Sequence, residues 1–134
     1  MSSTVPAEIR TVVVVEPDVL ARMVIAEYLR DCGYKVIEAV GSTEVWAVLD
    51  GGHAVDVLLI EVSLPGDENG FELAHRIRQT RREVDVILTS GVAGTVQQSH
   101  ELCEEGPIKK PYEAKEVEAR IKILLERRRA AKKT

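Results

Sequence analysis

Two acidic residues stand where apolar runs end, and they are the first candidates for chemistry in this chain. Glu16 follows the β-branched run at 11–15, and Glu61 follows the apolar run at 57–60. Short apolar runs followed by turn residues are typical of buried parallel strands. Open α/β sheets perform their chemistry at the carboxyl ends of such strands. We therefore expect the two carboxylates to meet at one edge of a sheet.

Strand and helix signals alternate along the whole chain. Alternating or β-branched runs predict strands at 11–15, 34–39, 56–62, 84–90 and 107–109. Apolar residues at helical spacing predict helices at 19–31, 42–49, 71–80, 96–104 and 113–129. Asp18 and Ser42 are suitable N-cap residues for the first two helices. The inner face of the first helix is predicted to comprise Leu20, Met23, Val24, Ala26, Tyr28 and Leu29.

This alternation predicts an α/β fold with a five-stranded parallel sheet and helices on both faces. The flavodoxin-like, doubly wound strand order 2-1-3-4-5 places its switch point between the first and third strands. Glu16 and Glu61 end those two strands, which predicts that both carboxylates lie at the switch point.

Two further polar positions follow the last two strands. Ser90, with Thr89 as the alternative, ends the fourth strand, and Lys110 follows the fifth in the sequence Lys110-Pro111-Tyr112. This ordered set, over residues 10–127, resembles the receiver domain of bacterial two-component response regulators.

The resemblance implies a phosphoryl-transfer site. In that family an aspartate at the position of Glu61 accepts a phosphoryl group from a histidine kinase, and acids after the first strand help it to hold Mg²⁺. By position, Glu16 is then the first metal ligand, Ser90 or Thr89 the hydroxyl that contacts the phosphoryl group, and Lys110 its cationic partner. A metal and a fixed ammonium would neutralise the charge of the transferred group.

Three positions depart from the family pattern. Glu61 replaces the acceptor aspartate, and its extra methylene advances the carboxylate by roughly 1.5 Å. Pro17 occupies the second acidic position and removes a ligand that octahedral Mg²⁺ would need. Pro107 stands where many receivers carry an aromatic switch residue. Mg²⁺ is the only cofactor that the resemblance implies, and we expect its binding to be weak or absent.

The departures leave several interpretations open. In one interpretation, Glu61 and Lys110 form a structural ion pair in a protein that signals through surface contacts. In another, Glu61 partly mimics a phosphorylated aspartate. A phosphorylation-competent, Mg²⁺-dependent receiver is the alternative, and a flavodoxin-like small enzyme or cofactor binder is a second one. Our preferred interpretation is a non-enzymatic receiver with a fixed Glu61–Lys110 interaction.

Composition fits one domain at 10–127, between a disordered segment at 1–9 and a basic tail at 128–134. No signal peptide, membrane span or attached output domain is expected, and two distant cysteines are typical of a reducing cytoplasm. The net charge of −4 combines +6 at 120–134 with −10 elsewhere. The acidic body disfavours nucleic-acid binding, while the basic tail leaves a weaker electrostatic contact open. The resemblance implies a histidine kinase or another signalling protein as partner. It also suggests a docking or homodimer face built from the helix at 96–104, the fifth strand and the final helix.

Overall fold

The computed structural model describes residues 8–90, 108–110 and 112–133. Its strands are β1 (Thr11–Val15), β2 (Lys35–Ala39), β3 (Val57–Glu61), β4 (Asp85–Ser90) and β5 (Ile108–Lys109). Its helices are α1 (Val19–Asp31), α2 (Ser42–Asp50), α3 (Gly70–Thr80) and α4 (Ala114–Lys133). The predicted helix at 96–104, Pro107, Pro111 and residues 1–7 of the predicted disordered segment lie outside the described residues.

The strands form one parallel sheet in the order β2-β1-β3-β4-β5. The prediction of a parallel α/β sheet flanked by helices is confirmed. The outer strand β5 is only two residues long and pairs with Thr89 and Ser90 at the carboxyl end of β4. β1 lies between β2 and β3, so the chain reverses its winding direction beside β1.

The central strands β1 and β3 are buried on both faces of the sheet, because helices cover each side. Val13 and Val15 face a core that includes residues of α2 and α3. Val12 and Val14 face a second core that includes residues of α1 and α4. Continuous apolar runs rather than strict alternation are the expected pattern for strands covered on both faces.

Helix capping follows the sequence prediction at α1 but not at α2. Asp18 caps α1 by accepting hydrogen bonds from the backbone N–H groups of Leu20 and Ala21. The prediction that Ser42 caps α2 is wrong, because Ser42 is already helical and the N-cap residue is Gly41. The Glu44 carboxylate instead accepts a hydrogen bond from the backbone N–H of Val40.

The predicted inner face of α1 is wrong in part. Ala26 and Leu29 are buried together with Ile25, but the other predicted members of this face are exposed, namely Leu20, Met23, Val24 and Tyr28. The sheet and α4 cover only one stripe of α1. Apolar residues occur around most of this helix, so their spacing alone did not identify the covered stripe.

The final helix extends past its predicted end near residue 129 and continues to Lys133, so most of the predicted basic tail is helical. Alanine and lysine, which favour helices, occupy its last positions. Arg128 Nη2 lies 3.1 Å from Asp85 Oδ2 at the start of β4, which ties this end of α4 to the sheet. None of the helices in the described ranges is long and apolar enough to cross a membrane.

Candidate functional site: an ion triad at the carboxyl edge of the sheet

Glu16, Glu61 and Lys110 come together at the carboxyl edge of the sheet. Glu61 is the last residue of β3, and Glu16 directly follows β1, whose last residue pairs with Ile60. Lys110 directly follows β5, and its backbone N–H donates to the carbonyl of Ser90 at 2.9 Å. The predicted meeting of these three side chains is confirmed.

The Lys110 ammonium bridges both carboxylates. Its Nζ lies 2.5 Å from Glu61 Oε1 and is also within hydrogen-bond distance of Glu16 Oε1. Glu16 and Glu61 are 5% and 6% exposed, so little solvent reaches either residue and the ammonium is their principal source of positive charge. Burial acts to lower the pKa of Lys110, but the hydrogen bonds and charges of the two carboxylates outweigh it and raise the pKa. The three side chains therefore form an ion triad of net charge −1.

The remaining carboxylate oxygens also have donors. Glu16 Oε2 accepts a hydrogen bond from the backbone N–H of Asp18 at 3.0 Å, and Glu61 Oε2 accepts one from that of Ser63 at 2.8 Å. All four oxygens of the two glutamates are thus engaged. These bonds fix the two carboxylates in the geometry that the ammonium bridges.

Both candidate hydroxyls lie at the same edge of the sheet. Thr89 is directly beside Glu61 in the β3–β4 register, and Ser90 is the next residue and ends β4. Each residue is 2% exposed. Tyr112 packs against the core between the sheet, α1 and α4, and burial raises the pKa of its phenol. The charge of Lys110 acts to lower this pKa, and the charges of the two glutamates act to raise it.

Comparison with known protein families matches the part of the chain that carries these residues. The model of the response regulator receiver domain family matches residues 12–122. The chain belongs to this family. It is a receiver domain of the kind that acts in two-component signalling.

Two curated relatives are regulatory proteins by name, and the first of them is named as transcriptional. The phosphate regulon transcriptional regulatory protein PhoB of Pseudomonas aeruginosa is 30% identical over 88% of this chain and 52% of its own length. The regulatory protein VirG of Rhizobium rhizogenes is 32% identical over 92% of this chain and 51% of its own length. The chain therefore spans about half the length of these relatives.

Solved structures show the same fold. The response regulator DrrB, an OmpR/PhoB homolog of Thermotoga maritima, has a TM-score of 0.77 at 27% identity, over 90% of this chain and 54% of that one. A receiver domain protein from Clostridium thermocellum has a TM-score of 0.80 at 20% identity, over 92% of this chain and 99% of that one. The second likeness concerns the fold alone.

The site of this receiver does not fit the Mg²⁺ ion that the family implies. Pro17 supplies no carboxylate, and both oxygens of Glu16 and of Glu61 already accept hydrogen bonds. Within the described ranges, no group of three or more His, Cys, Asp or Glu side chains is arranged to hold a metal. Mg²⁺ would therefore have to displace the Lys110 ammonium, which occupies the position of a counter-ion between the two acids.

Gly70 supports the site through a close approach that sequence analysis missed. It is the first residue of α3, and its N–H donates to the carbonyl of Val62 at 2.9 Å. A Cβ at this position would lie 2.4 Å from the carbonyl oxygen of Glu61 and 2.6 Å from Cα of Val62. Only glycine leaves room for α3 to start directly against the backbone that carries Glu61. The sequence shows Gly70 merely as part of a turn cluster.

Proposed function

We propose that this chain is a cytoplasmic, non-enzymatic receiver that signals through protein–protein contacts, with its acceptor position held in a permanent ion triad. The observation that carries the proposal is the Lys110 ammonium bridging Glu16 and Glu61. In this assignment Glu61 is at the acceptor position, Ser90 or Thr89 is the neighbouring hydroxyl, and Lys110 is the fixed cation.

The triad opposes phosphoryl transfer to Glu61 in two ways. A carboxylate attacks phosphorus through a free oxygen, but Oε1 of Glu61 is bound to Lys110 and Oε2 to the N–H of Ser63. Transfer also requires positive charge beside the phosphoryl oxygens, which are negatively charged. Here the ammonium that would provide it is already neutralised by two buried carboxylates.

The triad also supports a fixed signalling state. A glutamate reaches the ammonium without an added phosphate, and it also binds the backbone N–H of Ser63, so this described part of the carboxyl edge keeps one arrangement. Mimicry of a phosphorylated aspartate by Glu61 would be partial, because one carboxylate carries less charge and fewer acceptor oxygens than a phosphoryl group. We infer that partners recognise this constant arrangement rather than a phosphorylation-dependent change.

The family acts with histidine kinases, and we propose a histidine kinase or another signalling protein as the partner class here. The phosphorylation-competent receiver remains the second candidate, because family membership favours it. The small-enzyme interpretation has no comparable support, since the matching relatives are regulators.

Mass spectrometry of the intact protein after incubation with Mg²⁺ and acetyl phosphate tests the proposal. We expect no stable gain of a phosphoryl group in the wild type. The control is Pro17→Asp/Glu61→Asp, which restores both acidic positions of the family pattern and should become modified. A Mg²⁺-dependent phosphoryl gain in the wild type that is lost in Glu61→Gln would overturn the proposal.

A further inference from the structure

The single tryptophan of the chain ties α2 to α3 and to the loop that precedes α3. The Trp46 indole N–H donates to Oε1 of Glu68 in that loop, with 3.2 Å between nitrogen and oxygen. Arg76 of α3 donates to the other oxygen of Glu68 at 2.8 Å, and its guanidinium lies 4.5 Å from the centre of the indole ring. A second guanidinium, that of Arg81, lies 6.0 Å from the same ring, within reach of a cation–π contact. We call these four residues the Trp46 clamp.

Glu68 is the acid at the centre of the Trp46 clamp, and its side chain is only 13% exposed. A carboxylate this enclosed depends on its hydrogen-bond donors, because a buried charge without donors is unfavourable. The side chain of Arg76 is 57% exposed, so solvent reaches the cation but hardly reaches the acid. The clamp is therefore held from the inside by Glu68 and is accessible from the outside through Arg76.

The clamp fastens the loop that follows Glu61 to α2. The N–H of Gly70 donates to the carbonyl of Val62 at 2.9 Å, which closes the base of this loop against β3. A shallow cavity of about 470 Å³ lies between residues 65–68 and the first turn of α2. Free space thus separates the loop from α2 at the cavity, and Glu68 bridges the two elements beside it.

α2 depends on the clamp because it has few other anchors. It is the shortest helix of the described residues, and only Val45 and Leu49 of its nine residues are buried. A helix of this length has little stability of its own and persists through tertiary contacts. Arg81 holds its C-terminal end, since one guanidinium nitrogen lies 2.6 Å from Asp50 Oδ1 and the other 3.4 Å from the carbonyl oxygen of Leu49. The position of α2 is therefore set by a small apolar contact and by the charged clamp.

We propose that the Trp46 clamp is a latch that fixes α2 to the loop after Glu61 and that opens locally while the sheet stays folded. In the open state Arg76 leaves Glu68, and α2 keeps only its small apolar contact with the core. Because Arg76 is exposed, charge that is brought to this face of the receiver shifts the latch. The inference concerns one loop and one helix, and it holds whether or not Glu61 accepts a phosphoryl group.

Native-state hydrogen exchange of the whole chain, followed by NMR in low concentrations of urea, tests for local opening. We expect the Trp46 indole N–H and the Val45 amide, which donates to the carbonyl of Gly41, to exchange through an opening that urea barely promotes. The amide of Val13 in β1 should exchange only through global unfolding, with a steep dependence on urea. If the three groups share one urea dependence, α2 does not open locally and the proposal is overturned.

Two variants separate a charged latch from ordinary packing. Glu68→Gln keeps an oxygen for the indole N–H but removes the charge that Arg76 binds, so the local opening should become about tenfold more frequent. Rising ionic strength should promote the opening in the wild type and have little effect in Glu68→Gln. The matched control Glu83→Gln removes an exposed acid outside the clamp and should leave the opening and its salt dependence as in the wild type. An opening that Glu68→Gln increases no more than this control does would contradict the latch.

Discussion

Removing the Lys110 ammonium is the most direct test of the ion triad. Lys110→Met keeps most of the aliphatic length but leaves Glu16 and Glu61 facing each other without a cation. Both carboxylates are nearly fully buried, while Lys110 keeps 27% of its side chain exposed. The variant therefore exchanges a compensated triad for two uncompensated buried charges.

The size of the effect can be bounded from proton uptake. A glutamate can leave an unfavourable ionised state by protonation, and for an ordinary glutamate at pH 7 this costs about 3.7 kcal/mol. Breaking a buried ion pair by removing one partner costs about 3–5 kcal/mol. Because Lys110 is partly exposed, we expect its replacement by Met to lower the free energy of unfolding by about 3 kcal/mol at pH 7.

Urea unfolding followed by circular dichroism measures these differences. The triple variant Glu16→Gln/Glu61→Gln/Lys110→Met removes all three charges, while the glutamine oxygens still accept the N–H groups of Asp18 and Ser63. We expect this variant to lose about 1 kcal/mol, less than the single variant loses. The control is Lys122→Met, which removes an exposed lysine paired with Glu118 at 3.6 Å and should cost less than about 0.5 kcal/mol.

Two results would refute the reasoning. If Lys110→Met costs no more than the Lys122→Met control, the ammonium does not compensate the two acids. If the triple variant is less stable than Lys110→Met, neutralising the carboxylates brings no relief and the three groups are not coupled.

Three further predictions concern pH, metal and backbone. Because the pKa of Lys110 is raised in the folded protein, the stabilisation by its ammonium is complete below about pH 10.5 and is lost as pH rises through the higher folded-state pKa. The difference in unfolding free energy between wild type and Lys110→Met should therefore shrink at strongly alkaline pH. A difference that stays constant would argue against this role of the ammonium. Calorimetry should detect Mg²⁺ binding by Pro17→Asp/Glu61→Asp but not by the wild type, and equal affinities would show that Pro17 and Glu61 do not limit the metal. Gly70→Ala should destabilise the fold by about 2–4 kcal/mol in thermal melts, because the new Cβ would meet backbone atoms. The control Gly41→Ala should cost far less, because a Cβ at Gly41 would have its nearest neighbours 3.7 Å away. Similar losses in the two variants would show that the backbone relaxes around the added Cβ at Gly70.

Local sequence patterns determined the strands, most helix bounds and the edge at which the polar residues gather. The runs at 11–15 and 57–60 read as strands because their β-branched and apolar residues suit a sheet covered on both faces. Parallel topology then placed Glu16, Glu61 and Lys110 at the same carboxyl edge, whatever their separation along the chain. Asp18 was recognised as a cap because capping depends on residues two or three positions away.

The tertiary structure decided which of these residues touch and which faces are covered. Lys110 and Glu16 are 94 positions apart, and only their placement directly after β5 and β1 shows that one ammonium contacts both glutamates. The close approach of Gly70 to Glu61 and the exposure of Leu20 and Val24 likewise depend on how helices lie against the sheet. Sequence patterns report preferences of neighbouring residues, whereas these contacts join distant segments whose distances are fixed only by packing of the whole domain.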